Sequence, residues 1–152
     1  MEPYDVLVAH GVDLSLAIEH AYRKNNLDLV WYICHKSNDS MKTGEQLILA
    51  CEHAHPDIAE FLISKGADCT LSNYAALRSA VQHGLSIIVN KILEKSKLDI
   101  LVIKGLVTYA DQFNRVDIFN MLIDHALEHN VNLANWNLSP FLWMKYEAEF
   151  SS

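Results

Sequence analysis

An alanine returns at nearly constant intervals along the chain and sets the register of the residues around it. It stands at positions 21, 50, 80 and 110, so the intervals are 29, 30 and 30 residues. The surrounding frames read EHAYRKNNLDLVWYICH, ILACEHAHPDIAEFLIS, RSAVQHGLSIIVNKILE and TYADQFNRVDIFNMLID. A fixed interval of about 20 to 50 residues is typical of stacked supersecondary units. The chain is therefore predicted to build an extended surface and not a catalytic pocket.

Each frame is predicted to form two short helices joined by a tight turn. Apolar residues recur at steps of three and four, which indicates helices. The helical pattern breaks four residues after each alanine, at Asn25, Ala54, Gly84 and Asn114. Asparagine and glycine readily adopt the left-handed backbone conformation that ends a helix. Two rows of branched residues, eight and twelve positions after the alanine, are predicted to fill the core: Leu29, Ile58, Ile88, Ile118, Ile33, Leu62, Ile92 and Leu122.

These frames resemble ankyrin repeats. The similarity is clearest in LILACEHAHPDIAEFLISKGAD, residues 47–68, which has paired small residues, a turn histidine at His55 and a closing Gly-Ala-Asp. The family's opening Thr-Pro-Leu-His is absent, and the interval is shorter than the common 33 residues. The resemblance implies an all-α solenoid of stacked helix-turn-helix repeats with shortened hairpin loops. Such shortened repeats are similar to those of large DNA viruses and other host-manipulating agents, which would place the protein in the host cytoplasm.

The predicted organisation is a single domain, residues 1–152. It consists of a half repeat at 4–13, repeats at 14–42, 43–72, 73–102 and 103–133, and a C-terminal half-repeat cap at 134–152. Connectors are predicted at 37–43, 68–73 and 96–99.

Composition and charge argue against several classes of function. The net charge of −7 disfavours binding to nucleic acid or to anionic membranes. The three cysteines cannot all pair with one another, and no signal-peptide pattern opens the chain, so an intracellular, cytoplasmic setting is predicted. No apolar run approaches the roughly 18 residues that a membrane-spanning helix needs.

No catalytic, cofactor-binding or metal site is predicted. Cys51, His53 and His55 are close in sequence, but a fourth ligand has no clear candidate and their spacing directs the side chains apart. Cys51 also occupies a small-residue position, where a buried, inert thiol is expected. The alternative is a small metal- or thiol-dependent enzyme that uses Cys51 and the nearby histidines.

The outward-facing positions of the first helices are the predicted binding site for another protein. They lie one residue before and two and three residues after each alanine, and we call them the first-helix surface. Its members are His20, Arg23, Lys24, Leu49, Glu52, His53, Ser79, Gln82, His83, Tyr109, Gln112 and Phe113. In proteins that this chain resembles, these rows line the concave groove that grips a partner. Exposed aromatic residues commonly anchor interfaces, which favours binding and masking of a partner over a merely solvated face.

The C-terminal segment has two open interpretations. Five large aromatic residues lie close together there: Trp136, Phe141, Trp143, Tyr146 and Phe150. They either cap the fourth repeat or form a patch for a partner, including a homodimer or a self-assembling scaffold. Trp31 is a further candidate contact residue, because the other frames place Glu60, Asn90 and Asn120 at its position, which is predicted to be solvated.

Overall fold

The structure, a computed structural model, describes residues 4–11, 13–37, 40–133, 136–140, 143–144 and 147–148. In these ranges the chain forms nine α-helices and no strand, which confirms the all-α prediction. The helices are α1 (Asp5–Ala9), α2 (Leu14–Arg23), α3 (Leu27–Ser37), α4 (Ser40–Glu52), α5 (Pro56–Ser64), α6 (Leu71–His83), α7 (Ser86–Lys95), α8 (Ile100–Gln112) and α9 (Val116–Glu128). None of the described helices has both the length and the apolar character needed to span a membrane.

Every frame ends its first helix in the same hydrogen-bonded turn. The backbone N–H five residues after the repeating alanine donates to that alanine's carbonyl oxygen, at 2.8 Å in all four frames. The residue before this donor has a positive φ, which is 51° at Asn25, 56° at Ala54, 72° at Gly84 and 53° at Asn114. This combination is the Schellman motif that commonly ends a helix. The predicted left-handed turn is therefore confirmed in each frame.

The residues that the frame assigns to the core are buried. All four repeating alanines have 0% of their surface exposed, and the branched residues of both rows are at most 8% exposed. The second helices begin as the sequence indicates, with Pro56 at the start of α5 and aspartates in the first turns of α3, α5 and α9. A negative charge is favourable at a helix N-terminus because of the helix dipole.

The chain divides into two compact units, residues 1–76 and 77–152. In the first unit α2 packs on α3, α4 packs on α5, and α3 contacts α5. The short helix α1 is held by its first residue, since the hydroxyl of Tyr32 donates to the carboxylate of Asp5 at 2.6 Å. Lys36 adds an ion pair to the same carboxylate at 3.2 Å.

The predicted connector at 37–43 is too long, because α3 extends to Ser37 and α4 already begins at Ser40. The polar residues Thr43 and Gln46 lie on the buried face of this helix, at 8% and 4% exposure. Gln46 is accommodated there because its side-chain oxygen accepts a hydrogen bond from the thiol of Cys34 at 2.8 Å. Gly44 allows a close approach, since a Cβ at this position would lie 3.1 Å from the side chain of Leu71. The polar residues here are therefore part of a buried helix face and do not mark a loop.

The boundary between the units falls inside α6, whose start departs from helical geometry. Ser72, Asn73 and Tyr74 have φ values of 53°, 55° and 58°. The predicted connector at 68–73 therefore overlaps a left-handed turn. The connector at 96–99 is confirmed, because α7 ends at Lys95 and α8 begins at Ile100.

In the second unit α9 packs against both α7 and α8. Part of the C-terminal segment contacts these helices. The ring of Trp143 stands edge-on to Phe119, with 6.3 Å between ring centroids, and the backbone N–H of Ser139 donates to Asp111 at 3.1 Å. Both contacts favour the capping interpretation for the described part of this segment. Phe141, Tyr146 and Phe150 lie outside the described residues.

Candidate functional site

All twelve residues of the first-helix surface are at least partly accessible. The exposed members are His20, Arg23, Lys24, Glu52, His53, His83 and Gln112, and the half-buried members are Leu49, Ser79, Gln82, Tyr109 and Phe113. The residue directly after the alanine points the other way in three frames, since Tyr22, Cys51 and Val81 are 0% exposed. The frame thus separates surface from core as predicted, while the role of this surface in binding stays a prediction.

The part of the surface in the first unit is charged. Arg23 pairs with Glu19, one turn earlier on α2, at 2.6 Å. Both side chains are more than half exposed, and exposed pairs of this kind contribute only a few tenths of a kcal/mol. Arg23 can therefore exchange Glu19 for a carboxylate on a partner at little cost. The imidazole of His53 lies 6.3 Å from that of His55, with nearly parallel rings.

The part of the surface in the second unit is aromatic and neutral. Tyr109 and Phe113, one turn apart on α8 and its C-terminal end, meet edge to face with centroids 4.8 Å apart. The hydroxyl of Tyr109 donates to the side-chain oxygen of Gln82 at 3.4 Å. Aromatic pairs in this geometry stabilise one another beyond the area that they bury. The structure therefore brings three predicted residues from two frames into one apolar patch with a polar edge.

Arg115 supports this patch, although the sequence gives no sign of it. Its guanidinium donates two hydrogen bonds to the backbone carbonyl of Gln82, at 2.8 and 3.1 Å. The last carbonyls of a helix have no partner within the helix, and Arg115 satisfies one of those of α6. The two residues are 33 positions apart, so no local spacing signals the contact.

The position of Trp31 is exposed in three of the four frames. Trp31 is 42% exposed, and its ring stacks on His35 with centroids 5.1 Å apart. Glu60 and Asn90 are also exposed. The expectation is wrong for Asn120, which is 8% exposed. In this frame the ring of Trp143 contacts Phe119, the residue that precedes Asn120.

The thiol chemistry of Cys51 is suppressed by its surroundings. The side chain is fully buried, and burial raises the pKa of its thiol to about 12, with a smaller contribution from Cys69. The reactive species of cysteine is the thiolate, which is scarce at such a pKa. Cys51, His53 and His55 also do not form a metal-binding group in the described part of the chain. The enzyme alternative gains no support from this geometry.

Comparison with known proteins identifies one related family. A family model of ankyrin repeats in three copies matches residues 14–104, more than half of the chain. The matched range contains the frames around Ala21, Ala50 and Ala80. The fourth frame lies beyond it, but has the same helix hairpin and the same turn. No curated protein and no solved structure matches the chain.

Proposed function

The chain belongs to the ankyrin repeat family, and from this premise we propose that it binds another protein through the first-helix surface and masks part of it. Ankyrin repeats are generally protein–protein interaction modules. Repeat arrays present extended surfaces whose variable residues select a partner while the core stays constant. Such a surface suits masking, because many contacts are made over an area and no reaction is required.

The observation that carries the proposal is the patch formed by Gln82, Tyr109 and Phe113. Tyrosine and other aromatic residues are enriched at the energetic centres of interfaces. Both aromatic rings are half-buried and fixed by contact with each other, so little side-chain entropy is lost when a partner binds. The amide of Gln82 supplies a polar group at the edge of the patch. A partner with an apolar side chain next to a hydrogen-bonding group would fit this arrangement.

The charged residues of the first-helix surface in the first unit indicate which charge a partner would carry there. Arg23 and Lys24 are exposed cations, and they would attract acidic side chains. We propose an intracellular setting for the interaction. No disulfide joins Cys34, Cys51 and Cys69, which fits the reducing conditions inside cells.

The proposal is tested in two steps. The full chain is used as bait in its native cell, the captured protein is identified by mass spectrometry, and its affinity is then measured with purified proteins. A quadruple variant, Arg23→Glu, His53→Glu, His83→Glu and Phe113→Ala, is compared with the wild type. We expect the variant to lose binding while its thermal midpoint stays nearly unchanged, since three of the four positions are exposed.

A matched control changes the second helices instead. Lys65→Glu and Lys95→Glu lower the net charge by about as much as the quadruple variant does, at exposed positions outside the first-helix surface, and this variant should bind like the wild type. Unchanged binding by the quadruple variant would refute the assignment of the surface. Equal loss in both variants would point to a general charge effect and would also contradict it.

A further inference from the structure

A separate group of side chains lies at the C-terminal end of α9, outside the first-helix surface. His125, Glu128 and His129 are spaced three and four residues apart, which places them on one face of the helix. Each offers one potential ligand atom, and these atoms all lie within 4.8 Å of one another. Within the described ranges, no other set of three histidine, cysteine or acidic side chains comes together in this way.

The hydrogen bonding of the two histidines suits metal binding. The Nδ1 of His129 donates to the backbone carbonyl oxygen of His125 at 2.8 Å. This bond fixes the orientation of the ring and leaves its Nε2 with a lone pair. The Nε2 of His125 is buried, and no atom of the described residues forms a hydrogen bond with it. A buried polar atom without a protein partner is unusual, and coordination to an ion would satisfy it.

The surroundings also favour a cation. The C-terminal end of a helix carries the negative end of the helix dipole, and α9 ends at Glu128. The three side chains form part of the wall of an open cleft of about 660 Å³. Glu94 and Asp124 line the same cleft, while Lys95 and Lys97 offset part of their negative charge. The open cleft gives a hydrated ion access to the three ligands.

We propose that His125, Glu128 and His129 bind a divalent transition-metal ion of the zinc class. Imidazole nitrogen suits such ions, and a carboxylate completes a common ligand set. Tetrahedral zinc, with bonds of about 2.0–2.2 Å, holds its ligand atoms about 3.4 Å apart. The ligand atoms now lie within 4.8 Å of one another, so binding would require the exposed side chain of Glu128 to move toward the two imidazoles. Three protein ligands leave a fourth position for water or for a side chain of another protein.

Zinc titration of the purified full chain, freed of metal with a chelator, tests the site. Calorimetry should show one zinc ion bound per chain, and zinc should raise the thermal midpoint of unfolding by mass action. Magnesium should do neither, because it prefers oxygen ligands. His129→Gln and Glu128→Gln each remove one ligand at an exposed position. Each should weaken zinc binding by about tenfold or more, since even residues that only support a metal ligand have effects of this size.

His83→Gln is the matched control, because it removes an exposed imidazole from the same unit outside the group. This variant should bind zinc like the wild type. Failure of the wild type to bind zinc in the micromolar range would overturn the proposal. Wild-type affinity in both ligand variants, with folding verified by circular dichroism, would overturn it equally. The test is independent of any protein partner, so its outcome leaves the proposed binding function unaffected.

Discussion

Two tyrosines of the first repeat provide a matched test of how buried hydroxyl groups affect stability. Tyr22 is fully buried, and no atom of the described residues forms a hydrogen bond with its hydroxyl. Tyr32 is also buried, but its hydroxyl donates to the carboxylate of Asp5 at 2.6 Å. An unpaired buried polar group costs about 1–3 kcal/mol, whereas a hydrogen bond to a charged group contributes about 1.5–3 kcal/mol. The same substitution should therefore change stability in opposite directions at the two positions.

We expect Tyr22→Phe to raise the free energy of unfolding by about 1 kcal/mol and Tyr32→Phe to lower it by about 1–2 kcal/mol. Urea denaturation followed by circular dichroism measures both changes, provided that the slope of the transition stays constant. A decrease of more than about 1 kcal/mol for Tyr22→Phe would show that this hydroxyl has a partner. That result would refute the reasoning.

The pH dependence of the same variant gives a second measurement. Burial raises the pKa of Tyr22, and the nearby thiols of Cys34 and Cys51 raise it further. The folded state holds the phenol of Tyr22 protonated, so the stability that comes from this raised pKa is fully present below the unfolded pKa of about 10. It is lost as the pH rises above that value. The stability advantage of Tyr22→Phe over the wild type should therefore widen in alkaline solution.

Three further predictions concern other parts of the molecule. Gly84→Ala should lower the free energy of unfolding by about 2–4 kcal/mol, because φ at this residue is +72° and the new Cβ would lie 3.0 Å from Nη1 of Arg115. Urea denaturation measures this change, and an unchanged free energy of unfolding would contradict the role of this turn. Native Cys51 should resist alkylation by iodoacetamide at pH 8, since burial raises the pKa of its thiol to about 12. Mass spectrometry detects the label, and rapid labelling of Cys51 in the folded chain would disprove its burial. Trp143→Ala should lower the free energy of unfolding by about 1–2 kcal/mol, because it removes a contact with Phe119. Light scattering should show the same oligomeric state as the wild type, and a changed oligomeric state would favour the homodimer interpretation.

The helix hairpins are predictable because their signals are local. The period of the alanine, the three- and four-residue steps and the turn residues all act within one frame. Even Ala54, an unfavourable residue for positive φ, adopts the left-handed conformation because the helices on both sides require it. The burial of Gln46 was not predictable in this way, since its side chain is paired with Cys34 from another helix.

The candidate site is predictable only in part for the same reason. The frame identifies which positions are accessible, but the support of Gln82 by Arg115 joins residues far apart in the chain. The group at His125 and His129 has a visible spacing of four residues. The repeating frame does not identify this group, because the fourth frame ends at Asp124, just before it.

The hydrogen bonds from Arg115 to Gln82 also bear on how this chain can change in length. They make the end of a helix in one repeat dependent on a side chain from the next repeat along the chain. Deleting or exchanging the repeat around Ala110 alone would remove that side chain and leave the carbonyl without its partner. These two repeats are therefore not interchangeable building blocks. Recombination that moved the two repeats together would keep this contact, whereas moving either one alone would break it.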